Sequence, residues 1–115
     1  MDPDTFAEIL GLVESDGNPN AKLGDGGRAF GRWQVHPDWV FEWALRLKVT
    51  PKLNELWDDF MRRLIKAFYN FPFHLKLQPI EVAMTFHIGH ITHVGQPNWD
   101  DDYATRFKFY AAQQH

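Results

Sequence analysis

The chain has 115 residues, of which 44% are hydrophobic and 16% aromatic, a composition that excludes an intrinsically disordered protein. Twelve basic and fifteen acidic residues give a formal charge of -3, without the dense positive field typical of nucleic-acid binding, so we expect no nucleic-acid partner. No apolar run approaches the roughly 20 residues that cross a bilayer, and cysteine is absent. We therefore expect one domain over residues 1–115, with no membrane partner and no disulfide.

The N-terminal third of the chain combines one helix with one long loop. Residues 4–14 are predicted to be helical, with Asp4 or Thr5 as N-cap and a capping box formed by Thr5 and Glu8. Four apolar residues fall on one helix face: Phe6, Ile9, Leu10 and Val13. Residues 15–31 are rich in Gly, Asn, Asp and Pro and predict a shaped loop, which in a small domain is often functional. A short extended piece is predicted over residues 33–35.

The remaining two thirds of the chain are predicted to be helical. Pro37 begins a helix of about ten residues, and apolar periodicity predicts another over residues 52–69. Pro79 begins a helix that ends near Gly89, and the last begins at about Asp101. The aromatic residues at helical spacing are assigned to the core: Trp39, Trp43, Trp57 and Phe60. The sequence predicts a mainly α domain of about five helices, with a Gly-rich loop or at most a small β element.

Glu14 lies at the end of the first predicted helix. At about 100° per residue it falls about 80° from Phe6 and flanks the apolar face, whereas Glu8 falls about 200° away and faces water. Partial burial and the negative end of the helix dipole both disfavour a charged carboxylate, so we expect the pKa of Glu14 to be raised. Such a group suits a general acid at neutral pH. The alternative interpretation is a carboxylate that simply ends a surface helix.

Four short segments carry motifs in a fixed order. Residues 14–21 read Glu-Ser-Asp-Gly-Asn-Pro-Asn-Ala, and residues 31–35 read Gly-Arg-Trp-Gln-Val. Residues 83–89 read Ala-Met-Thr-Phe-His-Ile-Gly, and residues 103–107 read Tyr-Ala-Thr-Arg-Phe. Together they resemble the lysozyme-like lytic transglycosylase family, which is related to goose-type lysozymes. The family has a helix ending in Glu-Ser, then Gly-Asn-Pro-Asn-Ala, Gly-x-x-Gln, Ala-x-x-Tyr-Asn-x-Gly and Tyr-Val-x-Arg-Val. Phe86 and His87 depart from its Tyr-Asn pair.

The resemblance implies a lysozyme-like fold that cleaves the β-1,4 bond between N-acetylmuramic acid and N-acetylglucosamine in peptidoglycan. Glu14 would protonate the leaving oxygen and then act as a base. Hydrolases of this kind usually use a second carboxylate, for which Asp25 is the candidate. If Asp25 points away, the sugar's own N-acetyl and 6-hydroxyl groups complete the reaction and give a 1,6-anhydro product. We favour this second outcome, and a chitin-type glycan is an alternative substrate.

Five further residues are expected to bind the sugar chain: Ser15, Trp33, Gln34, Phe86 and Tyr103. Ser15 and Gln34 offer polar groups, Trp33 offers a ring for stacking, and the resemblance places Phe86 and Tyr103 along the groove. Structural roles remain open at this point. Ser15 can bond to the helix backbone, Gln34 can be a buried amide, and either aromatic ring, Trp33 or Phe86, can belong to the core.

Metal sites and cofactors are not expected. His87, His90 and His93 recur every three residues, but Gly89 interrupts them, and we interpret them as surface or packing residues. The loop after Asp16 imitates the start of an EF-hand, but Ala21 and Gly27 occupy positions that require Gly and Glu. The Gly-rich loop also lacks the Gly-Lys ending of a phosphate-binding loop.

The N-terminus does not resemble a signal peptide, because the start Met-Asp-Pro-Asp has neither a basic nor an apolar region. With the resemblance, this predicts a monomeric phage or prophage enzyme. It would be made in the host cytoplasm and reach the cell wall, in the periplasm or outside, after release or as part of a virion. The competing hypothesis, from another class, is a wall-binding or virion structural module that has lost catalysis.

Overall fold

A computed structural model describes residues 1–89 and 91–114 and confirms the mainly α prediction. Its five α-helices are α1 (Pro3–Ser15), α2 (Pro37–Leu47), α3 (Trp57–Tyr69), α4 (Pro79–Ile88) and α5 (Asp101–Ala112). Two short 3-10 turns, Asp25–Gly27 and Pro72–Lys76, lie between them. Proline opens α1, α2 and α4, where its fixed φ suits the first turn and its missing N–H costs no hydrogen bond.

Helix α1 begins earlier than predicted, because Asp2 is its N-cap. The Asp2 carboxylate accepts hydrogen bonds from the Thr5 backbone N–H (2.9 Å) and from the Thr5 hydroxyl (2.8 Å). The predicted N-cap at Asp4 or Thr5 is therefore wrong. The Glu8 carboxylate accepts from Arg62 instead of closing a capping box, so that prediction is wrong as well.

Helix α3 begins at Trp57, five residues later than predicted. Asn54 has a φ of 63°, which no helix accommodates, and a backbone bond from Glu55 to Lys52 makes a turn there. Leu53 and Leu56 consequently lie in the loop and are 93% and 70% exposed. Trp57 is 46% exposed, so its assignment to the core is also wrong.

One hydrophobic core joins all five helices. Helix α1 packs against α3 and α5, α2 packs against α3, and α4 packs against α5. The side chains withdrawn most completely from water come from α1, α3 and α4: Phe6, Ile9, Leu10, Leu64, Ile65, Val82 and Met84. Burial of each such side chain contributes roughly 1.5–3 kcal/mol. This packing brings the C-terminal end of α1 against α5, which fixes the surroundings of Glu14. In the described part of the chain, no helix has the length and apolar character to cross a membrane.

The Gly-rich segment between α1 and α2 contains the small β element. Two isolated antiparallel bridges pair Gly24 with Ala29 and Phe30 with Val35. The segment is fastened to the end of α1, because the Ser15 hydroxyl donates to the Arg32 carbonyl (2.6 Å). The Arg32 guanidinium also donates to the Gly17 carbonyl. The loop therefore has a fixed position beside the end of α1.

Candidate active site

A cleft of about 670 Å³ lies where the ends of α1 and α4 meet the Gly-rich segment, the start of α2 and the outer face of α5. This volume is within the range of small-molecule sites. The residues that line it and matter for its chemistry are Glu14, Asp25, Gln34, Phe86, His87 and Arg106. The geometry thus brings together residues from the first, second, third and fourth motif segments.

Glu14 is the most strongly perturbed acid of the cleft. Its side chain is half-buried in the cleft wall, and burial raises its pKa from an ordinary 4.5 to about 7. A hydrogen bond donated by the Tyr103 hydroxyl to Glu14 Oε2 (2.6 Å) and the positive charge of Arg106 partly oppose that rise. The predicted rise is confirmed. Near neutral pH Glu14 can therefore both donate and accept a proton.

Arg106 connects α5 to the end of α1 next to Glu14. Its guanidinium donates to the Val13 carbonyl (2.9 Å) and lies 5.5 Å from the centre of the Tyr103 ring. The carbonyls in the last turn of a helix lack partners within it, so this bond satisfies one of them. One turn farther along α5, the Tyr110 hydroxyl donates to the Asp16 carboxylate (2.8 Å). These contacts fix the position of Glu14.

Aromatic side chains form the apolar wall of the cleft. Phe86 is 9% exposed and packs edge-on against Trp39, with ring centres 5.0 Å apart. Both residues line the cleft that contains Glu14. An apolar wall excludes water from the carboxyl group and disfavours its charged form. Phe86 therefore lines the cleft and also belongs to the core, so both positions considered for it are occupied by the same ring.

Asp25 lies at the cleft but is paired with a histidine. Its Oδ2 is 2.8 Å from His36 Nε2, and its side chain is 64% exposed. His36 is the residue before α2 and also lines the cleft. The pair links the Gly-rich segment to α2. Asp25 thus shares the cleft with Glu14, as a solvent-exposed group with a partner of its own.

Gln34 lines the cleft, but its amide nitrogen is engaged in the loop. The nitrogen donates to the carbonyls of Gly31 (2.9 Å) and Lys22 (3.2 Å). A Cβ on Gly24 would collide with the amide oxygen of Gln34, so only glycine fits there without displacing it. Gln34 therefore shapes the Gly-rich segment from a position at the cleft.

Three of the predicted sugar-binding residues have other roles. Ser15 is absent from the cleft lining, and its hydroxyl donates to the carbonyls of Arg32 and Gly11. Trp33 is 2% exposed in the core, where its indole N–H donates to the Ala7 carbonyl (2.9 Å). Tyr103 is 1% exposed and contacts Glu14 from behind the cleft surface. The Ser15 hydroxyl is thus engaged by two carbonyls and the Trp33 and Tyr103 rings are buried, whereas direct sugar contact by the three side chains stays a prediction.

Two histidines, one in α4 and one in the following loop, each pair with a carboxylate. His87 Nε2 lies 3.0 Å from Asp100 Oδ2, and His93 Nδ1 bonds to Glu81. His90 lies outside the described residues. Among residues 1–89 and 91–114, no group of three or more potential ligands is placed to hold a metal ion.

Sequence reasoning missed four contributors to the cleft. Trp39 was assigned only to the core, His36 carried no prediction, and His87 was considered only as a metal ligand or packing residue. Arg106 was inside a quoted motif without a role. Spacing along a helix indicates which face a residue occupies, but it does not indicate which distant segment covers that face.

No family model, curated protein or solved structure matches this chain.

Proposed function

We propose that this chain is a glycosidase that cleaves the β-1,4 bond between N-acetylmuramic acid and N-acetylglucosamine in peptidoglycan, with Glu14 as general acid and base. The observation that carries the proposal is the half-buried Glu14 in the cleft wall, whose pKa is raised to about 7. A carboxylic acid that keeps its proton near neutral pH is what protonation of a glycosidic oxygen requires. The resemblance of the four motif segments supports the same reaction.

The proposed reaction uses Glu14 first as an acid and then as a base. Glu14 gives its proton to the glycosidic oxygen, the bond from that oxygen to the anomeric carbon breaks, and the downstream sugar leaves with a new hydroxyl. The 6-hydroxyl of the N-acetylmuramic acid then attacks the same anomeric carbon and returns its proton to the Glu14 carboxylate. The product ends in a 1,6-anhydro ring, and the enzyme regains its starting protonation state.

The surroundings of Asp25 support this transglycosylase route over hydrolysis. An inverting hydrolase needs a carboxylate that activates water, and a retaining one needs a carboxylate nucleophile. Asp25 is exposed and faces His36 at 2.8 Å. It is therefore engaged by another residue instead of being held toward the bond to be broken. Hydrolysis with Asp25 as the second carboxylate is the competing route.

Substitution of Glu14 by Gln tests the proposal. We expect the purified wild-type protein to clear isolated cell walls and Glu14→Gln to lose at least about 100-fold in rate, since general acid catalysis contributes about that much or more. Glu8→Gln is the matched control, because it makes the same change on the exposed side of the same helix. Mass spectrometry of the products then separates the routes, because an anhydro end is lighter by one water than a reducing end.

Two results would contradict the proposal. One is a Glu14→Gln protein that is folded and cleaves walls at the wild-type rate. The other is a wild-type protein that binds walls without cleaving them, as its Glu14→Gln variant also does; this would indicate a wall-binding or virion module. Parallel digestion of chitin oligomers identifies the alternative substrate.

A further inference from the structure

The rings of His87 on α4 and Tyr103 on α5 stack next to Glu14, and Asp100, the N-cap of α5, bonds to both residues. The imidazole of His87 lies parallel to the Tyr103 ring, with centres 4.0 Å apart and planes inclined by 13°. Asp100 fixes the imidazole, because its Oδ2 is 3.0 Å from His87 Nε2. The other oxygen of Asp100 accepts from the Tyr103 backbone N–H (3.0 Å) and caps α5. One carboxylate therefore positions both rings.

His87 lies on the cleft side of this stack, and Tyr103 lies on its buried side. His87 lines the cleft and its side chain is 33% exposed, whereas Tyr103 beneath it is 1% exposed. The hydroxyl of Tyr103 donates to Glu14 at 2.6 Å. The His87 imidazole therefore lies between the cleft and the Tyr103 ring, and the Tyr103 hydroxyl is hydrogen-bonded to Glu14. Exclusion of water around such a bond disfavours the charged carboxylate.

We propose that His87 is a positioning residue that, held by Asp100, covers Tyr103 and keeps the Tyr103–Glu14 hydrogen bond out of water. Its contribution to catalysis rests on the function proposed above, but its effect on the ionisation of Glu14 does not. His87 replaces an Asn of the family pattern, and an amide has no ring to lay over Tyr103.

Two neighbouring elements present further charged groups near Glu14 in the described part of the chain. Helix α5 presents Arg106, whose positive charge favours the charged form of Glu14, and Asp100, which is paired with His87. The Gly-rich segment presents Asp25, which is paired with His36 at the start of α2. These partners stay in place when the His87 ring is removed, with the exception of Asp100. His87→Ala and His87→Phe both free Asp100, so a difference between these two variants is assigned to the ring.

Removal and replacement of the ring test the inference. His87→Ala uncovers Tyr103, so we expect Glu14 to lose its proton at lower pH. In a plot of activity against pH, the alkaline limb, where activity falls as Glu14 loses its proton, should move to lower pH. We expect activity at pH 8 to be lower by about tenfold and activity at pH 5 to stay within about twofold of wild type. His87→Phe restores a ring without the bond to Asp100. We expect its profile to stay close to wild type.

The matched control is His93→Ala, which removes a histidine from an equivalent pair with a carboxylate, Glu81, outside the cleft. We expect no movement of the limb in that variant. A carbon-13 NMR titration of the Glu14 carboxyl group, assigned by its absence from Glu14→Gln, gives the same comparison without substrate. It therefore separates failure of this inference from failure of the proposed function.

Two results would overturn the inference. In the first, His87→Ala titrates as wild type at Glu14. In the second, His87→Phe shifts the titration as far as His87→Ala does, so that a ring at this position has no effect. Should His87→Ala fail to fold, His87→Asn takes its place, because its amide removes the ring from Tyr103 and keeps a polar side chain beside Asp100; a His87→Asn protein that titrates as wild type at Glu14 overturns the inference.

Discussion

Replacement of Glu14 by Gln should stabilise the protein at alkaline pH, although the same substitution should lower its activity. In the folded protein the pKa of Glu14 is raised to about 7, against an ordinary 4.5. Between these two values the folded chain keeps a proton that the unfolded chain releases, so stability is lost as the pH rises. Each pKa unit corresponds to about 1.4 kcal/mol, which gives a loss of about 3 kcal/mol by pH 8.

The assay is thermal or urea unfolding of wild type and Glu14→Gln between pH 4 and pH 8. The amide is uncharged throughout, so the variant lacks this dependence on pH. Its stability relative to wild type should increase by about 3 kcal/mol from pH 4 to pH 8, or about 10 °C in Tm. Because only the change of this stability difference with pH is compared, any pH-independent difference in stability between a carboxylic acid and an amide cancels.

Glu8→Gln again provides the control, because the Glu8 side chain is 44% exposed and bonded to Arg62 on the surface. We expect its stability relative to wild type to vary by less than about 1 kcal/mol over the same range. A Glu14→Gln difference that is equally flat from pH 4 to pH 8 would contradict the raised pKa of Glu14 in the folded protein. It would mean that the carboxyl group stays hydrated in the fold, and the general-acid proposal would lose its physical basis.

Three further predictions concern single substitutions. Tyr103→Phe removes the donor that favours charged Glu14, so the alkaline limb of the activity profile should move to higher pH; a move toward acid would contradict this. Arg63 lowers the pKa of Glu55 to about 2, so Glu55→Gln should lower Tm at pH 7, with the deficit vanishing as the pH falls through that value. Asp25→Asn should leave cleavage within about tenfold and the anhydro product unchanged, as seen by mass spectrometry, whereas loss of activity would indicate hydrolysis through Asp25.

Local sequence signals predicted the helices well where they were strong. Prolines at the first turns of α2 and α4 fixed those starts, and Gly89 in the left-handed region ends α4 as expected. The signal failed ahead of α3, where Leu53 and Leu56 continue the apolar spacing through a loop. The spacing of apolar residues remains compatible with a helix through this loop. The turn at Asn54 prevents a helix there, but it does not alter the spacing and so cannot be recognised from it.

The candidate site was only partly accessible to the same reasoning. The position of Glu14 beside the apolar face and its raised pKa follow from helix geometry and were predicted correctly. The partner of Glu14 is Tyr103, 89 residues away, and no local pattern specifies that contact. Ser15, Trp33 and Tyr103 were placed near the site, but their buried bonds decide their roles, and burial depends on the whole fold.

The long separation between Glu14 and α5 has a consequence for biosynthesis. Residues on α1 leave the ribosome first, but Tyr103 and Arg106 complete the surroundings of Glu14 only after α5 has docked. Until then the emerging polypeptide carries an ordinary hydrated carboxylate. Contacts between such distant positions form late, because closing the intervening loop costs entropy. Docking of α5 thus completes the environment in which Glu14 has its raised pKa, and a chain that ends before α5 should lack that environment.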